Sequence, residues 1–138
     1  MEIKTGYFYN MSKYKEAGFT PVCIARFPPK GLENKCYKMP ELAPSAKLLQ
    51  QFKDRTGTGA HNLDEEYDKS YINEIKDKIR EALIKLSTIK NPILLCYEKD
   101  PSQCHRSLLA NYINKHYPEH HVEEFSFTKQ KDDDLELD

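Results

Sequence analysis

Five residues in the run PILLCYEKDPSQCHRSLLANY (residues 92–112) carry side chains that do chemistry: Cys96, Glu98, Cys104, His105 and Arg106. A thiol can act as a nucleophile once ionised, a carboxylate or imidazole can move a proton, and a guanidinium can hold a phosphate or carboxylate through a forked pair of donors. Cys96 falls at the end of an apolar stretch, where a thiolate gains from the dipole of a following helix. A thiol phosphatase spaces its Cys and Arg as C-x5-R around a glycine-rich cradle. Here Ser102 stands six residues after Cys96, Arg106 stands ten after, and no such cradle is present. Thiol chemistry, phosphatase-like or redox, is therefore an alternative rather than the leading reading.

The elements around these residues must place them. PILLCY (92–97) is a continuous apolar run, as expected of a strand buried on both faces. A helix is expected from Pro101 to about His116, with Asp100 at the N-cap, Pro101 at the first helical position and Gln103 reaching back as in a capping box. A strand end feeding a helix start is where open α/β sheets bind ligands, and the free N–H groups of the helix suit an anion. Each assignment has a plainer counterpart. Arg106 can pair with Glu98 or Asp100 and only brace the loop. His105 sits among Leu108, Leu109, Tyr112 and Ile113 on the apolar face, where it can be a hydrogen-bonded core residue. Cys104 can be a small buried hydrophobe, and Glu98 an anchor for Arg106.

Elsewhere, residues 2–9 read as a first strand, and Asn10 or Ser12 can cap a short helix through Ala17 that Gly18 ends. Residues 19–25 (FTPVCIA) read as a second strand. An irregular stretch with four prolines follows, and Pro44 opens a helix with Leu48, Leu49 and Phe52 on one face. Residues 56–59 (TGTG) read as a loop able to move. Apolar residues at 72, 75, 79, 82, 83 and 86 predict one helix from about Ser70 to Leu86. A final strand is expected near 121–127. Strands alternating with helices predict a single compact α/β domain over 1–127 with a mainly parallel sheet flanked by helices.

The chain has 138 residues, enough for one core, with 38% apolar and 31% charged residues and a formal net charge of −1. No global field points to nucleic acid or membrane. Residues 128–138 hold five acids and two lysines and read as a solvated, mobile tail. No apolar run approaches a membrane span and no signal-peptide core opens the chain, so a cytoplasmic location is expected. The four cysteines (Cys23, Cys36, Cys96, Cys104) are then expected as reduced thiols. No pair has C-x2-C spacing, so no metal is expected, and no cofactor either.

Residues 26–38 (RFPPKGLENKCYK) contain four basic residues and one acid. Interleaved with them are Phe27 and Tyr37. Lys30, Lys35 and these aromatics suit backbone and stacking contacts to a nucleotide or single strand, with Pro28 and Pro29 stiffening the loop as a pocket wall. The plainer reading is a solvated loop whose aromatics cover the core.

Several segments resemble the uncharacterised family catalogued as domain of unknown function 488. LLCYEKDPSQCHRSLLA matches its C-x-E-x5-C-H-R hallmark. CIARF followed by PP-x-G, and YKMPELAPS downstream, resemble segments of one subgroup, and K-T-G-Y resembles the family's first strand. Together these span roughly residues 3–127. The resemblance implies a compact parallel α/β fold with Arg26, Cys96, Glu98, Cys104, His105 and Arg106 gathered at the strand C-termini. Members are often labelled as DNA-repair proteins, and no settled activity comes with the family. With Arg26 added to Arg106, two cations are expected at one crevice.

The expectation is a crevice for a phosphorylated ligand, a nucleotide or nucleic-acid component, in nucleic-acid metabolism or repair. Arg26 and Arg106 would hold the anion. Glu98 and His105 would transfer protons, with Cys96 or Cys104 as a nucleophile. The alternatives are a non-enzymatic nucleic-acid-binding accessory, the thiol chemistry above, and a purely architectural block.

Overall fold

The computed structural model describes residues 1–56, 65–99 and 104–126. The acidic tail, the glycines at 57 and 59 and the expected capping residues 100–103 lie outside the described residues. In chain order the elements are β1 (Glu2–Tyr7), α1 (Met11–Glu16), β2 (Thr20–Cys23), β3 (Tyr37–Lys38), α2 (Ala46–Thr56), α3 (Glu65–Ile75), α4 (Ile79–Leu86), β4 (Pro92–Cys96), α5 (His105–His116) and β5 (His121–Glu124). The five strands form one sheet in the order β3-β2-β4-β1-β5, and every pairing is parallel. The expected α/β class is therefore correct.

β4 is central, and all five of its residues are buried. A central parallel strand has helices or loops over both faces, which is why its sequence is continuously apolar instead of alternating. Register fixes the faces. Thr5 is level with Glu124 and Tyr7 with Cys96, while Gly6 and Cys23 are both level with Leu95. Cys96 and Cys23 thus point to opposite sides of the sheet, because side chains alternate along a strand.

α1 ends as expected. Gly18 takes φ +93°, and the amides of Gly18 and Phe19 donate to the carbonyls of Lys15 and Tyr14 at 3.0 Å each, the paired bonds of a Schellman motif. Tyr14 lies directly over Gly6, where a Cβ would meet its ring at 2.7 Å, and the Tyr14 hydroxyl accepts the Tyr7 amide at 3.0 Å. Gly6 is therefore a close-approach position.

Four expectations change. The single helix over 70–86 is α3 and α4 joined by a 3-10 turn, Lys76–Lys78, with Tyr71, Ile75, Ile79, Leu83 and Leu86 still buried in one core. β3 lies inside the stretch expected to be irregular. It is two exposed residues held only by backbone pairing to Val22 and Cys23, so it has no hydrophobic pattern to detect. β5 stops at Glu124, short of the expected 127. α5 starts at His105 with Cys104 at its N-cap in extended conformation, four residues later than expected. The cap of α2 is Ser45, whose hydroxyl accepts the Leu48 amide at 3.0 Å. Among the described residues no helix is long and apolar enough to cross a membrane.

Candidate functional site

The segments leaving β2 and β4 stand side by side because those strands are paired, and the first turn of α5 reaches both. Four hydrogen bonds fix the arrangement. His105 Nε2 lies 2.9 Å from the Ile24 carbonyl, tying α5 to the exit of β2. The Tyr97 hydroxyl donates to the Phe27 carbonyl at 2.6 Å, tying the two exits together. Arg106 binds the carbonyls of Glu98 and Lys99, tying α5 to the exit of β4.

Between these segments lies a cleft of about 400 Å³, within the size range of small-molecule sites. Arg26, Glu98, Cys104 and His105 are part of its lining. Phe27, Tyr97, Tyr67 and Leu49 supply apolar and aromatic surface, the last two from α3 and α2. The cleft lies outside the carboxyl ends of β2 and β4, the usual ligand position in an open α/β sheet.

His105 is 9% exposed. A carbonyl can only accept, so Nε2 carries the proton and donates to Ile24, and in the neutral ring Nδ1 keeps its lone pair. That atom faces the Cys104 sulfur at 3.7 Å. The ring is held edge-on by Tyr71 at 5.3 Å, and the Tyr71 hydroxyl donates to the Leu42 carbonyl at 2.6 Å. Burial raises the Tyr71 pKa well above its usual value, so the hydroxyl stays a donor.

Cys104 and Cys96 are joined as a disulfide, with Cα atoms 7.4 Å apart. Both sulfurs lie within 4.8 Å of a His105 ring nitrogen. The expectation that all four cysteines are free thiols is thus corrected: only Cys23 and Cys36 are free. Sequence spacing gives no sign of this pairing, which depends on the α5 start lying back over the end of β4. Burial pushes the Cys23 thiol up to about 11 and also raises that of Cys36.

Arg106 differs most from expectation. It is 0% exposed and all five of its N–H donors are occupied. Nε and one terminal nitrogen bind the two Glu124 oxygens at 2.9 and 3.0 Å. The others reach the Glu98 carbonyl at 2.5 Å, the Lys99 carbonyl at 3.2 Å and the Cys96 sulfur at 3.4 Å. Thr5 donates to Glu124 at 2.6 Å and completes the network. Arg106 therefore braces the loop, the plainer of its two sequence readings, and the expected anion-binding role is corrected because no donor remains for a ligand. Among the described residues its carboxylate partner is Glu124, not Glu98; Asp100 lies outside them. The acidic pair Glu123-Glu124 was the available signal, but only strand register brings it to Arg106.

Arg26 is the opposite case. It is exposed at the cleft, with its guanidinium carbon 5.8 Å from the Phe27 ring centre. The 26–38 loop divides beyond this point. Lys35 and Tyr37 border a separate groove with Thr20 and Pro21, beside the opposite end of β2, while Lys30 is exposed and lines neither. The expected continuous pocket wall is thus limited to Arg26 and Phe27. Sequence reasoning missed Tyr67, Tyr97 and Leu49, whose aromatic or apolar character alone does not separate a cleft wall from a core.

The family model described as "Active DUF488-N3 subclade" matches residues 7–117. No curated protein and no solved structure matches the chain. The matched span runs from the last residue of β1 to the C-cap of α5 and contains every cleft residue named above, and over that length the chain belongs to the family of domain of unknown function 488.

Proposed function

We propose that the cleft binds a small phosphorylated ligand, a nucleotide or nucleic-acid component. The observation that carries this reading is one cleft with an exposed arginine at its edge, aromatic and apolar walls, and Glu98, Cys104 and His105 in its lining. Arg26 meets the phosphate through its forked donors, and Phe27 and Tyr97 offer flat surface to a base or sugar. Glu98, less buried than His105, is the candidate proton-transfer group. The description of the matched subclade as active favours chemistry in this cleft and names no reaction.

Thermal-shift titration with inorganic phosphate and nucleoside monophosphates tests the reading. Stabilisation of the wild type that Arg26→Ala loses is the expected outcome. Equal responses in the two proteins, or none in either, overturn it. A nucleic-acid accessory surface along 26–38 has weaker support, because Lys35 and Tyr37 border a different groove from Arg26.

A further inference from the structure

We propose that Cys96, Cys104 and His105, with their cysteines reduced, form a binding site for one divalent metal ion of zinc-like chemistry whose open coordination position faces the cleft. This deepens the reading of the cleft as a ligand site, while metal binding itself is measured without any ligand.

The donor set comes first. Two sulfurs and one imidazole nitrogen, all on buried residues, have their donor atoms within 4.8 Å of one another. Thiolate and imidazole donors select zinc and related ions over magnesium or calcium, which prefer oxygen. The Nδ1 to Cys104 sulfur distance of 3.7 Å is close to the roughly 3.6 Å separating an imidazole nitrogen and a thiolate that share a tetrahedral zinc. Three protein ligands with a vacant fourth position are the pattern of zinc sites that act on substrates.

The surroundings come second. A ligating histidine commonly donates its other ring N–H to a carbonyl, which fixes the tautomer and presents the second nitrogen to the ion. His105 does this through Nε2 and Ile24. Arg106 donates to the Cys96 sulfur, an interaction that favours the thiolate a metal requires. Glu124 neutralises Arg106, so two thiolates and one divalent ion leave the buried cluster without net charge.

The fold comes third. Cys96 ends β4, and Cys104 and His105 open α5 on the same face of the sheet. Cys104 and His105 line the cleft and Cys96 does not, so an ion bound by all three has its vacant side toward Arg26 and Glu98. A phosphate oxygen could take that position while Arg26 holds the remainder of the group.

The disulfide is the oxidised, metal-free form of the pair. A dithiol reductant delivers two electrons and two protons, breaking the S–S bond to give two thiols while the reductant becomes a disulfide. The sulfurs then separate, and the divalent ion displaces the two thiol protons to solvent.

Full-length protein is reduced with dithiothreitol, desalted anaerobically and titrated with cobalt(II). The expected result is a thiolate-to-cobalt charge-transfer band that saturates at one equivalent, disappears when zinc is added and is accompanied by proton release. Cys104→Ser and His105→Gln should lose the band or bind far more weakly, with circular dichroism used to check their folding. Cys23→Ser should leave the titration unchanged, and so should Arg26→Ala. That last variant separates failure of the metal site from failure of phosphate recognition. Azide added to the cobalt form should alter its spectrum by entering the open position. Absence of the charge-transfer band in reduced wild-type protein, or its full retention in folded Cys104→Ser, overturns the proposal. An unchanged spectrum with azide overturns the open position.

Discussion

Arg26 and Arg106 follow two paired strands, and the sequence puts them in one class, as cations available to an anion. The fold separates them by burial and by donor count. Arg106 is wholly buried, and its five N–H groups are divided among a carboxylate, two carbonyls and a sulfur. Arg26 is exposed at the cleft and, among the described residues, makes no ion pair. A buried guanidinium must have its charge and donors satisfied within the protein, so it serves as a brace. An exposed one keeps its hydration until a ligand replaces it. The comparison places structural work after β4 and leaves an exposed cation at the cleft after β2.

Removing the brace should have the largest effect. Arg106→Ala leaves Glu124 without its partner and releases the loop carbonyls of Glu98 and Lys99, and should cost about 3–5 kcal/mol in urea unfolding. Arg106→Lys keeps the charge but not the five-donor fork, so it should recover only part of that loss. A stability within about 0.5 kcal/mol of wild type for Arg106→Ala would erase the distinction between the two arginines.

Arg26→Ala should behave inversely. Its unfolding free energy should stay within about 0.5 kcal/mol of wild type, as for an ordinary surface change. Phosphate-ligand binding, measured by calorimetry, should weaken by about 1.5–3 kcal/mol, the range of a hydrogen bond to a charged group. If stability falls instead, Arg26 is also a brace.

A smaller effect tests how the cleft wall is held. Tyr71→Phe keeps the ring against His105 but leaves the Leu42 carbonyl without its donor, and should cost about 1–2 kcal/mol. An unchanged melting temperature would mean that water replaces the hydroxyl there.

The smallest effect concerns the cysteines, where burial again decides chemistry. Cys23 ionises at about 11 in the folded protein against an ordinary value of 9.0, because burial disfavours its thiolate. The unfolded chain loses the proton first, so this group's contribution is constant below pH 9 and declines as pH rises from 9 toward 11. Cys23→Ala should flatten the alkaline limb of the stability profile. In native protein near neutral pH, iodoacetamide should leave Cys23 unmodified for much longer than a model thiol. Prompt labelling of Cys23 would contradict its buried position.

Most of the fold is legible because its signals are local. PILLC reads as a buried strand from its continuous apolar character, Gly18 marks the end of α1, and alternating strands and helices imply parallel pairing. The elements that were missed or misplaced lack such signals. β3 is a backbone pairing between two exposed residues, and the break between α3 and α4 leaves the apolar face intact. At the α5 start the local capping signals pointed to Asp100 and Pro101, whereas the helix begins at His105.

The sequence by itself determined the class of the fold, the family and the block Cys96 to Arg106 as the place where polar chemistry meets a strand end. The class and the block follow from periodicity, residue type and spacing, which act over a few residues, and the family follows from the resemblance of its segments. Tertiary structure alone decided that Glu124 takes Arg106, that Cys104 lies against Cys96, and that His105 donates to Ile24 and turns Nδ1 toward the sulfur. Each is a contact between groups brought together by sheet register and helix packing. Their availability for function depends on which donors the folded chain has already used.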